Sequence, residues 1–240
     1  SASLAIPAAA LLLALALGGC CGTTWFQRME RQPYRDEGGW LFLSDKDIAY
    51  LEENGGAHHM EHARRFGRYT GGYNRFVLRG IDRAEFLAPD DGGYFIGIKA
   101  DPPESPVGYS LKLFGRPLLD PPRASSYCSG ATYAAFIEAL NLIFFHGGQR
   151  CLPALDDVHY EAMRMQEPDG GRREDGVKFW GHWNDDGFGS HFALVQYSAM
   201  GAEVAPRDAR PGDFMNISWT NGGGHSVVFL GWRRDAGGRG

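Results

Sequence analysis

Cysteine is scarce in this chain. Four occur in 240 residues, at Cys20, Cys21, Cys128 and Cys151, and the first two lie in an apolar leader, so the folded body holds a single pair. That number rules out a framework of several disulfides. Positive charge is not in excess either. The 24 Lys and Arg against 29 Asp and Glu leave a net charge of -5 and a pI near 5.9, which removes the electrostatic reason to expect nucleic acid. There are no internal repeats, and no low-complexity tract lies beyond the leader, so a solenoid or fibrous architecture is excluded. What the chain does have is glycine and proline, 34 and 13, together with 43% hydrophobic residues. This composition describes a loop-rich, partly β domain rather than a helical bundle, and without the leader the length suits one domain with a substantial core or one domain with an elaboration.

Residues 1–21, SASLAIPAAALLLALALGGCC, contain an apolar run from Leu4 to Leu17. The run is short for a membrane span, which needs about 20 residues, and reads as the core of an export signal. Leu17 to Cys20, LGGC, resembles the bacterial lipobox. That resemblance implies lipidation at Cys20 and a membrane-tethered N-terminus; a plain secretory signal is the simpler alternative. On either reading the protein is expected to leave the cytoplasm, and the lipobox reading places it at the cell envelope.

The body divides into an N-terminal accessory region, 22–115, and a second domain, 116–240. In the first, GWLFL is a short apolar stretch, and Ser44 caps a helix through IAYLEEN that ends at Gly55 and Gly56. A second short helix is expected over AHHMEHARRFGRY, and an extended segment over YNRFVLRG. GYFIGIKA and VGYSLKLFG, flanking DPPESP, read as the two arms of a hairpin. RPLLDPPRASS then approaches a helix from about Cys128 to Phe145, with Phe136, Leu140, Ile143 and Phe144 on its apolar face. LDDVHYEAMRMQE reads as a further helix, and residues 177–201 as an aromatic and glycine-rich loop leading into another. PGDFMNISWT and HSVVFLGW, joined by the turn NGGG, form the final strand pair. The expected class is α+β.

Cys128 carries the chemical interest. A thiol attacks only as thiolate, and a helix N-terminus favours that anion through its unpaired N–H groups and dipole. Ser129, Gly130 and Ala131 are small enough to let a carbonyl approach those N–H groups, which then double as an oxyanion site. The ordinary alternative is a disulfide with Cys151, but the intervening helix is roughly 25 Å long, so the chain would have to double back along it. A nucleophilic cysteine also needs a base. His225 follows NGGG and opens an apolar strand, a rigid position for an imidazole; a solvated hairpin histidine is the plainer reading.

YCSGATYAAF, with RPGDFMNISWTNGGGHSVVFLG, resembles the two motifs of the NlpC-like and CHAP-type papain-fold cysteine peptidases and amidases. The likeness covers roughly residues 120 to 232, with both motifs in the family's order. It implies a papain-like core in which the nucleophile helix packs on an antiparallel sheet, preceded by an N-terminal elaboration. It further implies Cys128 as nucleophile, His225 as base, Gly212 and Asp213 as structural residues, and no metal or cofactor. The substrate class it implies is peptide or peptidoglycan. Tyr127 stands where the family has Asp, as an oxyanion helper or a packing residue. The family's third polar residue follows the histidine on the next strand. Here that region is RRDAGGRG; Asp235 is a candidate substitute, and a C-terminus cut short before the family's residue is the preferred explanation.

Two further clusters carry alternatives. His58, His59 and His62 in AHHMEH put two histidines at i, i+4 on one helical face, a zinc geometry that lacks an evident third ligand, so a solvated polar face is the default. Trp180, His182, Trp183 and His191 lie in the aromatic loop. The tryptophans suit stacking on sugar or peptide, or they close the core, and either histidine competes with His225 as base. Rival functions are a non-catalytic envelope lipoprotein that binds glycan or a partner, and an acyltransferase using the same Cys and His.

Overall fold

Ser44 is extended, and its hydroxyl accepts the Asp47 N–H, so the chain turns into helix α1, Asp45–Asn54, as the capping residue and acidic first turn require. Our computed structural model describes residues 35–55, 59–90, 93–94, 108–119, 125–126, 128–147, 201–220 and 224–234. After α1 come α2, His62–Phe66, a 3-10 turn at Gly67–Tyr69 and α3, Gly72–Leu87. The later elements are β1, Gly93–Tyr94, β2, Leu111–Leu113, β3, Arg116–Leu119, β4, Ser125–Ser126, helix α4, Cys128–Gly147, and strands β5, Phe214–Ser218, and β6, Gly224–Val228. The class is α+β, and among the described residues no helix is long and apolar enough to cross a membrane.

Helix α4 is the spine. It is apolar on most faces, which is the signature of a helix buried all round, and Tyr133, Ile137 and Leu140 are fully enclosed. It packs along α3 on one side and against β2 and β6 on others. Its core cluster draws Phe76 and Val77 from α3, Leu111 and Leu113 from β2, and partly buried Phe214 and Val228 from β5 and β6. Mid-helix Glu138 is buried yet paired, accepting from Arg83 Nε at 2.7 Å and from the Tyr109 hydroxyl at 3.3 Å. A buried carboxylate demands such partners.

One expectation is corrected, and a second lies partly outside the described residues. YNRFVLRG is not extended but the first half of helix α3; its aromatic and β-branched residues suggest a strand, but tertiary packing overrides that weak preference. For the expected hairpin between GYFIGIKA and VGYSLKLFG, residues 95–107 lie outside the described residues, and the described parts of the two arms find other partners. β1 pairs in parallel with β4 instead, and β2 pairs antiparallel with β3, Leu113 facing Arg116. The two residues between them, Phe114 and Gly115, have φ of 51° and 83°, so the hairpin closes through a two-residue turn with both dihedrals positive, as tight hairpins favour. Phe114 tolerates this because its N–H donates to Asn141 Oδ1 at 2.9 Å and its ring stacks on Phe144 at 4.4 Å. The border between residues 115 and 116 falls inside this turn, and the core takes side chains from both sides of it.

The final hairpin forms as its sequence indicates, with Phe214 opposite Val228 and Ile217 opposite His225. Gly212, at φ 93°, lies where a Cβ would stand 2.9 Å from that of Asn74. Asp213 accepts from Asn74 Nδ2 at 2.6 Å and from the Arg210 N–H at 2.7 Å, so this Gly-Asp pair ties the start of β5 to α3. The apolar stretch GWLFL pairs with the chain beyond β6. Phe42 and Trp232 form a parallel bridge, and Leu43 N–H donates to Trp232 O at 2.9 Å.

Asp47, fully buried, fastens α1 to α2 and the turn after it. Its carboxylate accepts from Ser44 Oγ and Tyr69 OH, each at 2.6 Å, and from Arg65 Nε and Arg68 Nη2, each at 2.8 Å. Burial pushes its pKa up, but hydrogen bonds from Ser44 and Tyr69 and the charge of Arg68 outweigh it and leave the pKa lowered. A carboxyl with a depressed folded pKa contributes stability above its unfolded value, about 3.9, and loses it as pH falls through the folded value. Asp47→Asn is therefore expected to cost about 1–2 kcal/mol at pH 7. The gap from wild type should close below pH 4, as read from urea melts at a series of pH values.

Candidate functional site

Cys128 is the first residue of α4, whose 20 residues leave the N–H groups of the opening turn without intrahelical partners and so concentrate positive potential there. The residue carries a thiol rather than a disulfide. It is 7% exposed and belongs to the apolar cluster of the helix. The small residues after it have a packing role as well, since Gly130 and Ala134 are buried.

His225 is the second residue of β6, half-buried, and cross-strand from Ile217. The neighbouring Ser226 is buried, its hydroxyl donating to Asn216 Oδ1 at 3.0 Å. Because β6 packs on α4, the imidazole and the opening turns of the helix meet at one cavity of about 760 Å³. Its walls are Ala131 and Thr132 of α4, His225 and Val227 of β6, Ala84 and Glu85 of α3, and His62 and Tyr109. Cys128 lies one turn from this wall without lining it.

Tyr109 stands on the cavity wall. Burial pushes its phenol pKa strongly upward, and the adjacent Glu138 charge and hydrogen bond push it further, so the hydroxyl remains a neutral donor at any working pH. Sequence reading did not single out His62 or Glu85 as wall residues. Asp82 and Glu85 sit three apart in IDRAEFL, and the signal becomes visible once that segment is read as a helix with both carboxylates on one face.

His59 and His62 do not share a helical face. His59 has φ of 69° and stands before the helix, which opens only at His62. Its imidazole meets Asp90 Oδ1 at 2.8 Å. His58 lies outside the described residues, as do Cys20, Cys151, Tyr127, Trp180, His182, Trp183, His191 and Asp235, the helix expected over LDDVHYEAMRMQE and the aromatic loop. Ser129 is described only as a helical residue.

No family model, no curated protein and no solved structure matches the chain.

Proposed function

We propose that this protein is an exported thiol hydrolase of papain-like architecture that cleaves an amide bond in peptide, with cell-wall peptide as the favoured substrate and a lipid at Cys20 as its membrane tether. The observation that carries the reading is the packing of a long helix that begins at Cys128 on a strand whose second residue is His225, with a cavity lined by both elements. A helix N-terminus supplies the electrostatics a thiolate needs, and a strand end holds an imidazole firmly.

In this mechanism the His225 imidazole takes the Cys128 proton. The thiolate attacks the substrate carbonyl carbon; a C–S bond forms, and the carbonyl electron pair moves onto oxygen, which N–H groups of the opening helical turn stabilise. Collapse of this intermediate breaks the C–N bond, and the imidazolium delivers its proton to the leaving amine. Water, deprotonated by the neutral imidazole, then attacks the thioester and releases the acid and the thiolate. No metal or cofactor enters these steps. An amine or alcohol in place of water would make the same site an acyltransferase.

The burial of Cys128 favours a second reading, a non-catalytic envelope protein in which the thiol only packs. Iodoacetamide labelling followed across pH, with the adduct located by mass spectrometry, decides between them. The hydrolase reading expects Cys128 to be alkylated at pH 6 and to lose that reactivity in His225→Ala. A thiol inert in wild type, or one found bridged to Cys151, overturns it.

A further inference from the structure

His62 and Glu85, which line the cavity, belong to a cluster that the thiol chemistry does not use. His62, Asp82 and Glu85 bring one ligand atom each to within 4.8 Å of one another. His62 Nδ1 lies 3.1 Å from Asp82 Oδ1 and 3.8 Å from Glu85 Oε2. Donor atoms bound to one small cation at about 2.1 Å stand roughly 3.0–3.4 Å apart, so His62 and Asp82 already stand in range and Glu85 would have to move inward to join them. We infer that His62, Asp82 and Glu85 form a binding site for one divalent transition-metal cation, with its open coordination positions toward the cavity that His225 also lines.

The local fold explains why the three groups are held together. Asp82 and Glu85 lie three apart on α3 and so project from one face, while His62 opens α2. The Asp82 carboxylate caps α2, accepting the His62 N–H at 2.7 Å and the Ala63 N–H at 3.0 Å. Each carboxylate oxygen offers two acceptor positions, so capping leaves one on each for a metal. The cap accounts for Asp82 alone. It does not account for a second carboxylate brought to the same nitrogen, nor for an imidazole ring that is only 10% exposed between the two.

With a neutral ring the cluster carries two negative charges, which a divalent cation cancels at close range. One imidazole and two carboxylates suit Zn²⁺, Mn²⁺ or Co²⁺, whereas Mg²⁺ and Ca²⁺ prefer oxygen alone. Binding places the cation on Nδ1, releases any proton held there to solvent and leaves Nε2–H. The cation would clamp the start of α2 to α3. It goes beyond the proposed hydrolysis, which runs without it, and the failure of either idea leaves the other standing.

Titration of EDTA-treated full-length protein with Co²⁺, followed by absorbance and calorimetry, tests the site. The expected result is one Co²⁺ per chain with ligand-field bands and no thiolate charge-transfer band, displaced by Zn²⁺, with a higher melting temperature in the metal-bound form. Glu85→Gln keeps the Asp82 cap and should leave the melting temperature in EDTA unchanged. Changes to groups that merely steady a ligand already cost about 10–100-fold in metal affinity, so loss of this direct ligand should weaken Co²⁺ at least tenfold and remove the metal-dependent rise. His62→Gln should do the same. Absence of Co²⁺ binding, a thiolate band, or affinity retained in both variants overturns the site.

Discussion

Cys128→Ala is expected to lower the rate of peptide hydrolysis by about a thousandfold or more, with fragment release from purified peptidoglycan followed by mass spectrometry. Removing the nucleophile from a unit that acts with a base commonly costs this much, and the residual rate reflects binding and the oxyanion donors alone. A thousandfold corresponds to about 4 kcal/mol of lost transition-state stabilisation. The same substitution removes one small buried atom from an apolar cluster, a loss of about 1 kcal/mol in folding. Activity and stability therefore separate cleanly, because a variant that remains folded at assay temperature and loses turnover has lost chemistry. His225→Ala should fall nearly as far, and the double variant no further than Cys128→Ala, since the two act on one proton. Unchanged hydrolysis in Cys128→Ala would remove the thiol mechanism.

Burial of Cys128 sets a requirement on that chemistry. The thiol belongs to the core cluster, and the cavity wall begins at Ala131 and Thr132, one helical turn farther on. Catalysis needs a carbonyl carbon about 3–3.5 Å from the sulfur. Under the proposed mechanism, substrate binding would therefore have to open a path along the first turn of α4, where the side chains are small. Bulk introduced at Ala131, exposed on the helix surface and on the cavity wall, would obstruct that path while leaving the core untouched.

Elements whose signals are local were readable in the sequence. Ser44 followed by acidic residues announces α1, the small residues after Cys128 open α4, and Pro-Gly-Asp followed by alternating apolar residues announces β5 and β6. The final hairpin succeeds because its glycine turn and its alternation agree. Elements decided by distant partners were not readable. Phe114 takes a left-handed turn position, which Asn141 and Phe144 of α4 support, and nothing nearby in sequence reveals either. His62 read as one of a histidine row because its true neighbours, Asp82 and Glu85, lie 20 residues and more away. Cys128 and His225 were legible as residues on the right kinds of element. The cavity that His225 lines beside the opening turns of α4 depends also on α3, whose first half the sequence suggested to be extended.

Gly80→Ala should damage the scaffold, although simple propensity says the opposite. Alanine in a helix interior is favoured over glycine by about 1 kcal/mol, so at an exposed site the change would stabilise. At Gly80, however, α3 crosses α4 so closely that an added Cβ would lie 2.9 Å from Ala139 N, with Ala135 O nearer still. These are backbone atoms of a buried helix, and no rotamer change relieves them. The helices must separate, which loosens Phe76 and Val77 against α4 and strains the 2.7 Å pair between Arg83 and Glu138. Overpacking of this kind costs about 1–3 kcal/mol, occasionally more, and the contact with rigid backbone puts Gly80 at the upper end. After the propensity gain is set against it, a net loss of about 2 kcal/mol is expected, a fall of about 4–8 °C in melting temperature for a chain of this size. Gly67→Ala is the control, because a Cβ there meets only Arg75 Nε at 3.9 Å and φ is already -61°; it should be neutral or stabilising by up to about 1 kcal/mol. The same reasoning joins scaffold to site. α3 and α4 form two walls of the cavity that His225 lines, so any separation at Gly80 widens it, and hydrolysis in Gly80→Ala should fall at temperatures where the protein is still folded.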